Sequence, residues 1–224
     1  MPDLQSVVVV DYQNIHLTGH QLFPVSRHGA KHEALIDPLL FANHLLLARN
    51  TKQLPGHSHA VLTRVLVYRG LPSAEHDPDA YARNLAQKAH WERDSRVSVN
   101  HRPLKYQYAR DGQGAVVTGP DGKRIVKGKK EKGIDVLCAL ALVREATAPD
   151  VDLVILASHD SDLAPALDEA IRLGSSKVET MSWYDPAQRY RCSQLRPEDP
   201  TRRLWNTRLG ENEFRRSWDL NDYS

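Results

Sequence analysis

Apolar positions along the chain fall into two alternating periods. Residues 6–10 are a serine and four valines, an unbroken apolar run that predicts a strand buried on both faces of a parallel sheet. An apolar run also occupies 151–157, segments 60–69 and 177–182 read as further strands, and 96–101 alternates as a strand does. Segments 36–50, 78–93, 133–147 and 162–173 carry helical spacing instead, with Ile134, Leu137, Ala141 and Leu142 falling on or near one face. Asp37 before Pro38 and Asp77 before Pro78 mark two helix starts, because a first-turn proline gives up no needed N–H. Residues 15–34 mix His, Gly, Pro and Ser without a period and predict a loop, and 51–59 predict a polar connector. Strands alternating with helices predict a three-layer α/β/α sandwich around a mainly parallel sheet with right-handed crossovers.

Two stretches interrupt this rhythm. Residues 102–132 hold the turn signals Asp111-Gly112 and Asp121-Gly122 between short β-like pieces, predicting one or two projecting hairpins. Residues 183–224 are polar and proline-punctuated but keep Trp205, Phe214 and Trp218, which predicts an extension that packs back onto a 1–182 domain.

At 224 residues the chain has the length of one α/β domain with elaborations. Its two cysteines have neither zinc spacing nor a disulfide framework, and Cys138 sits among apolar helical residues as a core side chain would. No run reaches membrane-spanning length and no signal-peptide pattern precedes the first valines, so a reducing, cytoplasmic setting is the expectation.

The chemistry concentrates where strands end. Asp11 and Asn14 follow the first strand, Asp160 and Asp162 follow the run 151–157, and Asp135 stands near the start of helix 133–147. In an open parallel sheet, ligands bind beyond the carboxyl ends of the strands. Carboxylates gathered there repel one another unless a cation compensates, and oxygen-only donors suit Mg²⁺ or Mn²⁺. Such ions orient a phosphate and activate water. Asn14 is a candidate for a phosphate oxygen or a metal-bound water, and Ser158 and Ser161 for hydrogen bonds that hold the carboxylates. The plainer reading is that Asp160 or Ser161 caps the helix that follows.

The stretches VVVVDYQNIH, EKGIDVLCALALV and VILASHDSDLAPALDEA resemble the three motif blocks of NYN domains, the LabA-like branch of the PIN-like nucleases. The likeness runs over residues 6–182 and carries Asp11, Asn14, Lys132, Gly133, Asp135, Ser158, Asp160, Ser161 and Asp162. It implies a PIN-like sandwich and a Mg²⁺- or Mn²⁺-dependent ribonuclease that hydrolyses RNA by metal-activated water, leaving 5′-phosphate and 3′-hydroxyl ends. Two features depart from the pattern. His159 replaces the usual glycine and would narrow the site or add a proton donor, and the 102–130 insert is long.

That insert is strongly basic. Nine cations against three acids give residues 102–132 a charge of +6, leaving −4 for the rest of a chain whose total is +2. Such asymmetry draws a polyanion towards an acidic centre. Lys105, Lys129, Lys130 and Lys132 are the candidate backbone contacts, and Tyr106 and Tyr108 are candidates for stacking on unpaired bases or, equally, for packing on the domain. In the last segment eight arginines meet seven acids, and Arg189 and Arg191 are the nearest of them to the last core strand. His28 and His32, and His57 and His59, lack the further ligand of a zinc signature and read as surface residues. The leading expectation is a ribonuclease favouring single strands, with no membrane role and a homo-oligomer compatible with it. A catalytically weak RNA-binding regulatory module, a DNA nuclease and a small-phosphoester phosphatase stay open beside it.

Overall fold

The computed structural model describes residues 2–24, 34–187 and 192–223. Six parallel strands form one sheet: β1 (Leu4–Asp11), β2 (Ala60–Leu71), β3 (Val97–Pro103), β6 (Leu153–Ala157), β7 (Lys177–Trp183) and β8 (Asn206–Leu209). Their spatial order is β3-β2-β1-β6-β7-β8. The chain builds outward from β1 to one edge, then restarts beside β1 and builds to the other. The reversal falls between β1 and β6, where Val10 pairs with Ala157 just before both strands end. A switch of this kind opens a crevice at the carboxyl ends.

The valine run is buried on both faces, as its lack of alternation implies. Val8 and Val10 pack with α1 (Tyr12–Leu22), α2 (Pro38–Thr51), α3 (Pro78–Trp91) and α6 (Glu211–Arg216). Val7 and Val9 pack with α4 (Ile134–Ala146) and α5 (Ala164–Leu173), including Cys138, Ala141 and Leu142. Leu137, placed by its spacing near the same face, is only partly buried. Helices thus cover both faces, giving the expected three-layer α/β/α sandwich.

Helix α2 starts as its sequence predicts: Asp37 accepts from the Leu40 N–H at 2.8 Å and Pro38 fills the first turn. Asp77 stands in the same position before α3, but its carboxylate is not a cap and pairs with Lys129 instead. The expected loop over 15–34 is corrected in its first part, because α1 runs to Leu22. Tyr12, Ile15, His16, Gly19, His20 and Leu22 form its buried side. The helical period is present there, but glycine and two histidines occupy apolar positions and conceal it. Residues 25–33, with His28 and His32, lie outside the described residues, as do Arg189 and Arg191.

The insert is a hairpin of β4 (Lys105–Tyr108) and β5 (Val126–Lys130), extended by bridges Arg110–Val116 and Thr118–Arg124. Asp111 and Asp121 each accept backbone N–H bonds in its two turns, and Gly114 and Gly122 take positive φ there. The last segment does more than lie on the domain. It supplies β8, the sixth strand, whose Thr207 pairs with Met181 of β7.

Candidate metal and phosphate site

Asp11 ends β1, and Tyr12 begins α1 with no intervening loop. Asp11 is therefore fixed at the mouth of the crevice and is almost fully buried. Ser158, the first residue past β6, donates its hydroxyl to Asp11 Oδ2 at 3.0 Å and accepts from the Asp160 N–H at 3.0 Å. Asp160 in turn accepts from the Asp162 N–H at 3.0 Å and starts a 3₁₀ turn, Ser161–Leu163, that leads into α5. Across the crevice, Asn14 Oδ1 accepts from the His159 N–H at 2.8 Å. The β1–α1 and β6–α5 junctions are thus stitched together by Asn14 and Ser158. Ser158 holds the carboxylate of Asp11 and the backbone of Asp160, and Asp160 is both a cap and a cleft residue.

A cleft of about 500 Å³ collects Asp11, Gln13, Asn14, Leu17, Lys105, Lys130, Glu131, Lys132, Gly133, Ile134, Asp135 and Asp160. Asp135 enters from the first turn of α4, which begins after Gly133 in the left-handed conformation at φ 78°. Asp162 and Ser161 are exposed on the 3₁₀ turn and do not line the cleft, a departure from their expected place beside the metal. Instead the fourth acid of the cleft is Glu131, which in the sequence stands among ordinary charges. Its carboxylate accepts from the Gly70 N–H, and the Gln13 amide, turned nitrogen-inward, lies 2.8 Å from Oε1 and 3.1 Å from Oε2. Gly70 permits this approach, since a Cβ there would meet Glu131 Oε1 at 2.7 Å. The clue lay in the run KGKKEKG, where one acid interrupts the lysines beside Asp135.

Burial pushes the Asp11 carboxyl up to about 6, with Glu131 and Asp160 adding repulsion and Ser158 opposing it. Cys138, one turn beyond Asp135, feels the same group: burial and then Asp11, Asp135, Glu131 and Asp160 all push its thiol up. Four carboxyls therefore share one field, and Asp162 is absent from it. No metal set closes among them. In the described residues, the group of three ligand-type side chains with donor atoms mutually within 4.8 Å is Asp37, His90 and Asp219, on the other face. Asp219 there already accepts from Trp91 Nε1 (2.7 Å), Tyr223 OH (2.6 Å), and Asn221 N (3.0 Å) and Nδ2 (2.6 Å). Its lone pairs are committed to anchoring the tail. The acid donors of the cleft are all oxygens, the kind a hard cation such as Mg²⁺ or Mn²⁺ takes, and burial raises two of them, Asp11 and Glu131.

His159 neither narrows the cleft nor offers it a proton. Its ring points into the tail, with Nδ1 at 2.9 Å from Cys192 Sγ and 3.2 Å from Ser193 O, and Nε2 accepting from the Trp183 N–H at 3.3 Å. Burial holds its pKa below the ordinary histidine range, which matches a neutral ring protonated at Nδ1. Tyr106 and Tyr108 also face away. Tyr106 OH accepts from the Ser73 N–H at 2.9 Å, and Tyr108 OH lies 2.9 Å from His76 Nε2, so both pack on the domain and neither lines the cleft. Lys129 leaves the candidate contacts too, since it pairs with Asp77. Lys105, Lys130 and Lys132 remain in the cleft.

No family model and no curated protein matches this chain. A crystal structure of a protein of unknown function from Vibrio parahaemolyticus RIMD 2210633 is similar at 21% identity, covering 80% of this chain and 81% of that one, with a TM-score of 0.42.

Proposed function

We propose that this protein is a Mg²⁺- or Mn²⁺-dependent nuclease that hydrolyses phosphodiester bonds of RNA, single strands foremost. The observation that supports this reading is that opposite charges line one cleft without pairing. Asp11, Glu131, Asp135 and Asp160 occupy it together with Lys105, Lys130 and Lys132, yet none of these lysines makes an ion pair among the described residues. Opposite charges that share a cleft without pairing suit a ligand carrying both signs, as a metal-bound phosphate does. The NYN resemblance points to the same chemistry and is the whole ground for RNA over DNA.

In this reading Asp11, Asp135 and Asp160 hold the cation, directly or through water, with Asp162 at the margin. A cation held there would neutralise charge on the phosphate and lower the pKa of a bound water. Asn14 and Ser158 keep the two junctions in register, Glu131 adds negative field from the hairpin side, and Lys132 steers a phosphate towards the carboxylates. Neither described cysteine lines the cleft: Cys138 is buried with its thiol pushed up, and Cys192, 2.9 Å from His159 Nδ1, has its thiol pushed up to about 11 by burial.

The test is cleavage of matched 5′-labelled single-stranded RNA and DNA with Mn²⁺, Mg²⁺ or EDTA. Metal-dependent RNA cleavage is expected, and Asp160→Asn or Asp11→Asn should lower it on the order of 100-fold or more. Full activity in both variants would refute the site. Binding without cleavage under every condition would move the reading to a regulatory module.

A further inference from the structure

Lys105 and Lys130 are directly opposed across the antiparallel β4–β5 pair. Directly opposed side chains have Cβ atoms about 5 Å apart, and like charges in that arrangement are destabilising. Acids stand in the same cleft, but neither lysine pairs with one among the described residues. Of the other cations of the hairpin, Lys129 pairs with Asp77, Arg124 with Glu75 and the Tyr108 ring, and Arg102 holds the Lys132 carbonyl, while Lys123 and Lys127 do not line the cleft. The opposite face of the hairpin is pinned by Tyr106 and Tyr108 to residues 73–76. The two lysines are therefore presented on a fixed wall. Beside them the first turn of α4 opens into the cleft with no side-chain cap on its N–H groups.

We propose that Lys105 and Lys130 clamp a second, non-scissile phosphate of the same strand. The cleft then takes a polynucleotide with consecutive phosphates, and an isolated phosphodiester is a poor substrate. This rests on the nuclease reading and adds to it a minimum substrate: one phosphate at the carboxylates with Lys132, and the next between Lys105 and Lys130.

Lys105→Glu tests it, because it turns an opposed like-charge pair into an opposed ion pair and should hold or raise the melting temperature. Three readouts are taken against wild type: kcat/KM on a 12-nucleotide single-stranded RNA, its slope against log salt, and kcat/KM on bis(4-nitrophenyl) phosphate. Expected are at least a tenfold loss on the 12-mer, a slope shallower by about 0.7 for the lost phosphate contact, and a narrowed preference for the 12-mer over the small diester. Lys130→Gln should show the same pattern more weakly. Wild-type values on the 12-mer in both folded variants would overturn the clamp. If wild type cleaves neither substrate, the nuclease reading fails separately. Fluorescence anisotropy with the labelled 12-mer then decides the clamp alone: weaker binding by Lys105→Glu supports it, and equal binding overturns it.

Discussion

Asp11 shows what one residue can reveal of a site before any ligand is bound. Its carboxyl titrates at about 6 against 3.8 in an open chain, chiefly through burial. Because the folded value lies above the unfolded one, the contribution to stability is whole below pH 4 and is lost as pH rises through 6. At pH 7 that displacement amounts to about 3 kcal/mol of lost stability. Asp11→Asn should therefore melt higher than wild type without metal, with a gap that is small at pH 4 and widest above pH 6. Added Mn²⁺ should close that gap by stabilising only the wild type at neutral pH. A gap that is constant with pH in a thermal melt would mean that Asp11 does not carry this cost. Residue by residue, the sequence marked Asp11, Asn14, Asp135, Ser158 and Asp160, since several oxygen-bearing side chains fall just past buried strands or at a helix start, where an open parallel sheet gathers its ligands. It did not mark Glu131, which reaches the cleft only because Gly70 of β2 lets it approach, a contact between segments 61 residues apart.

At the scale of elements, what could be read depended on how cleanly each period was written. Strands β1 and β6 are built on unbroken apolar runs and β2 and β7 on interrupted ones, and all four alternate with helices along the chain. Helix α1 was hidden because its buried stripe is built from His16, Gly19 and His20 as well as Tyr12, Ile15 and Leu22. Gly19 is required by contact, since a Cβ there would stand 2.4 Å from the Phe214 ring. The hairpin was legible from its turns, but the direction of its tyrosines was not: alternation puts Tyr106 and Tyr108 on one face without saying which face meets the domain. The joint between hairpin and α4 is Gly133, whose left-handed φ is disfavoured for any residue with a Cβ. A side chain there would also press the Arg102 guanidinium at 3.3–3.5 Å, and Arg102 Nε holds the Lys132 carbonyl at 2.7 Å. Gly133→Ala should cost about 1–2 kcal/mol in urea unfolding. It should also reduce RNA cleavage more than that loss explains, because Lys132 and Asp135 flank the bend. Unchanged kcat/KM would show that the bend does not position them.

At the scale of the whole molecule, the final segment is part of the sheet rather than an addition to it. Phe214 is fully buried and touches the rings of His20, Phe23, Trp183 and Trp218. Trp183 Nε1 donates to the Ile15 carbonyl at 2.9 Å, so this cluster braces the helix that carries Asn14. Trp218 bridges to Ile36, and Asp219 takes the Trp91 indole N–H, which ties the chain end to α2 and α3. Removing residues 203–224 would expose the edge of β7 and the apolar faces of α1 and α2 together. The shortened chain should fail to melt cooperatively, and Phe214→Ala in the full chain should cost about 3–5 kcal/mol in urea unfolding. The second variant matters because it separates packing from strand pairing: β8 stays in place and only the ring is lost. Its loss should also slow RNA cleavage at temperatures where the protein is still folded, through α1 and Asn14. A truncated chain that melts as one sharp transition at the wild-type temperature would make residues 203–224 a true appendage.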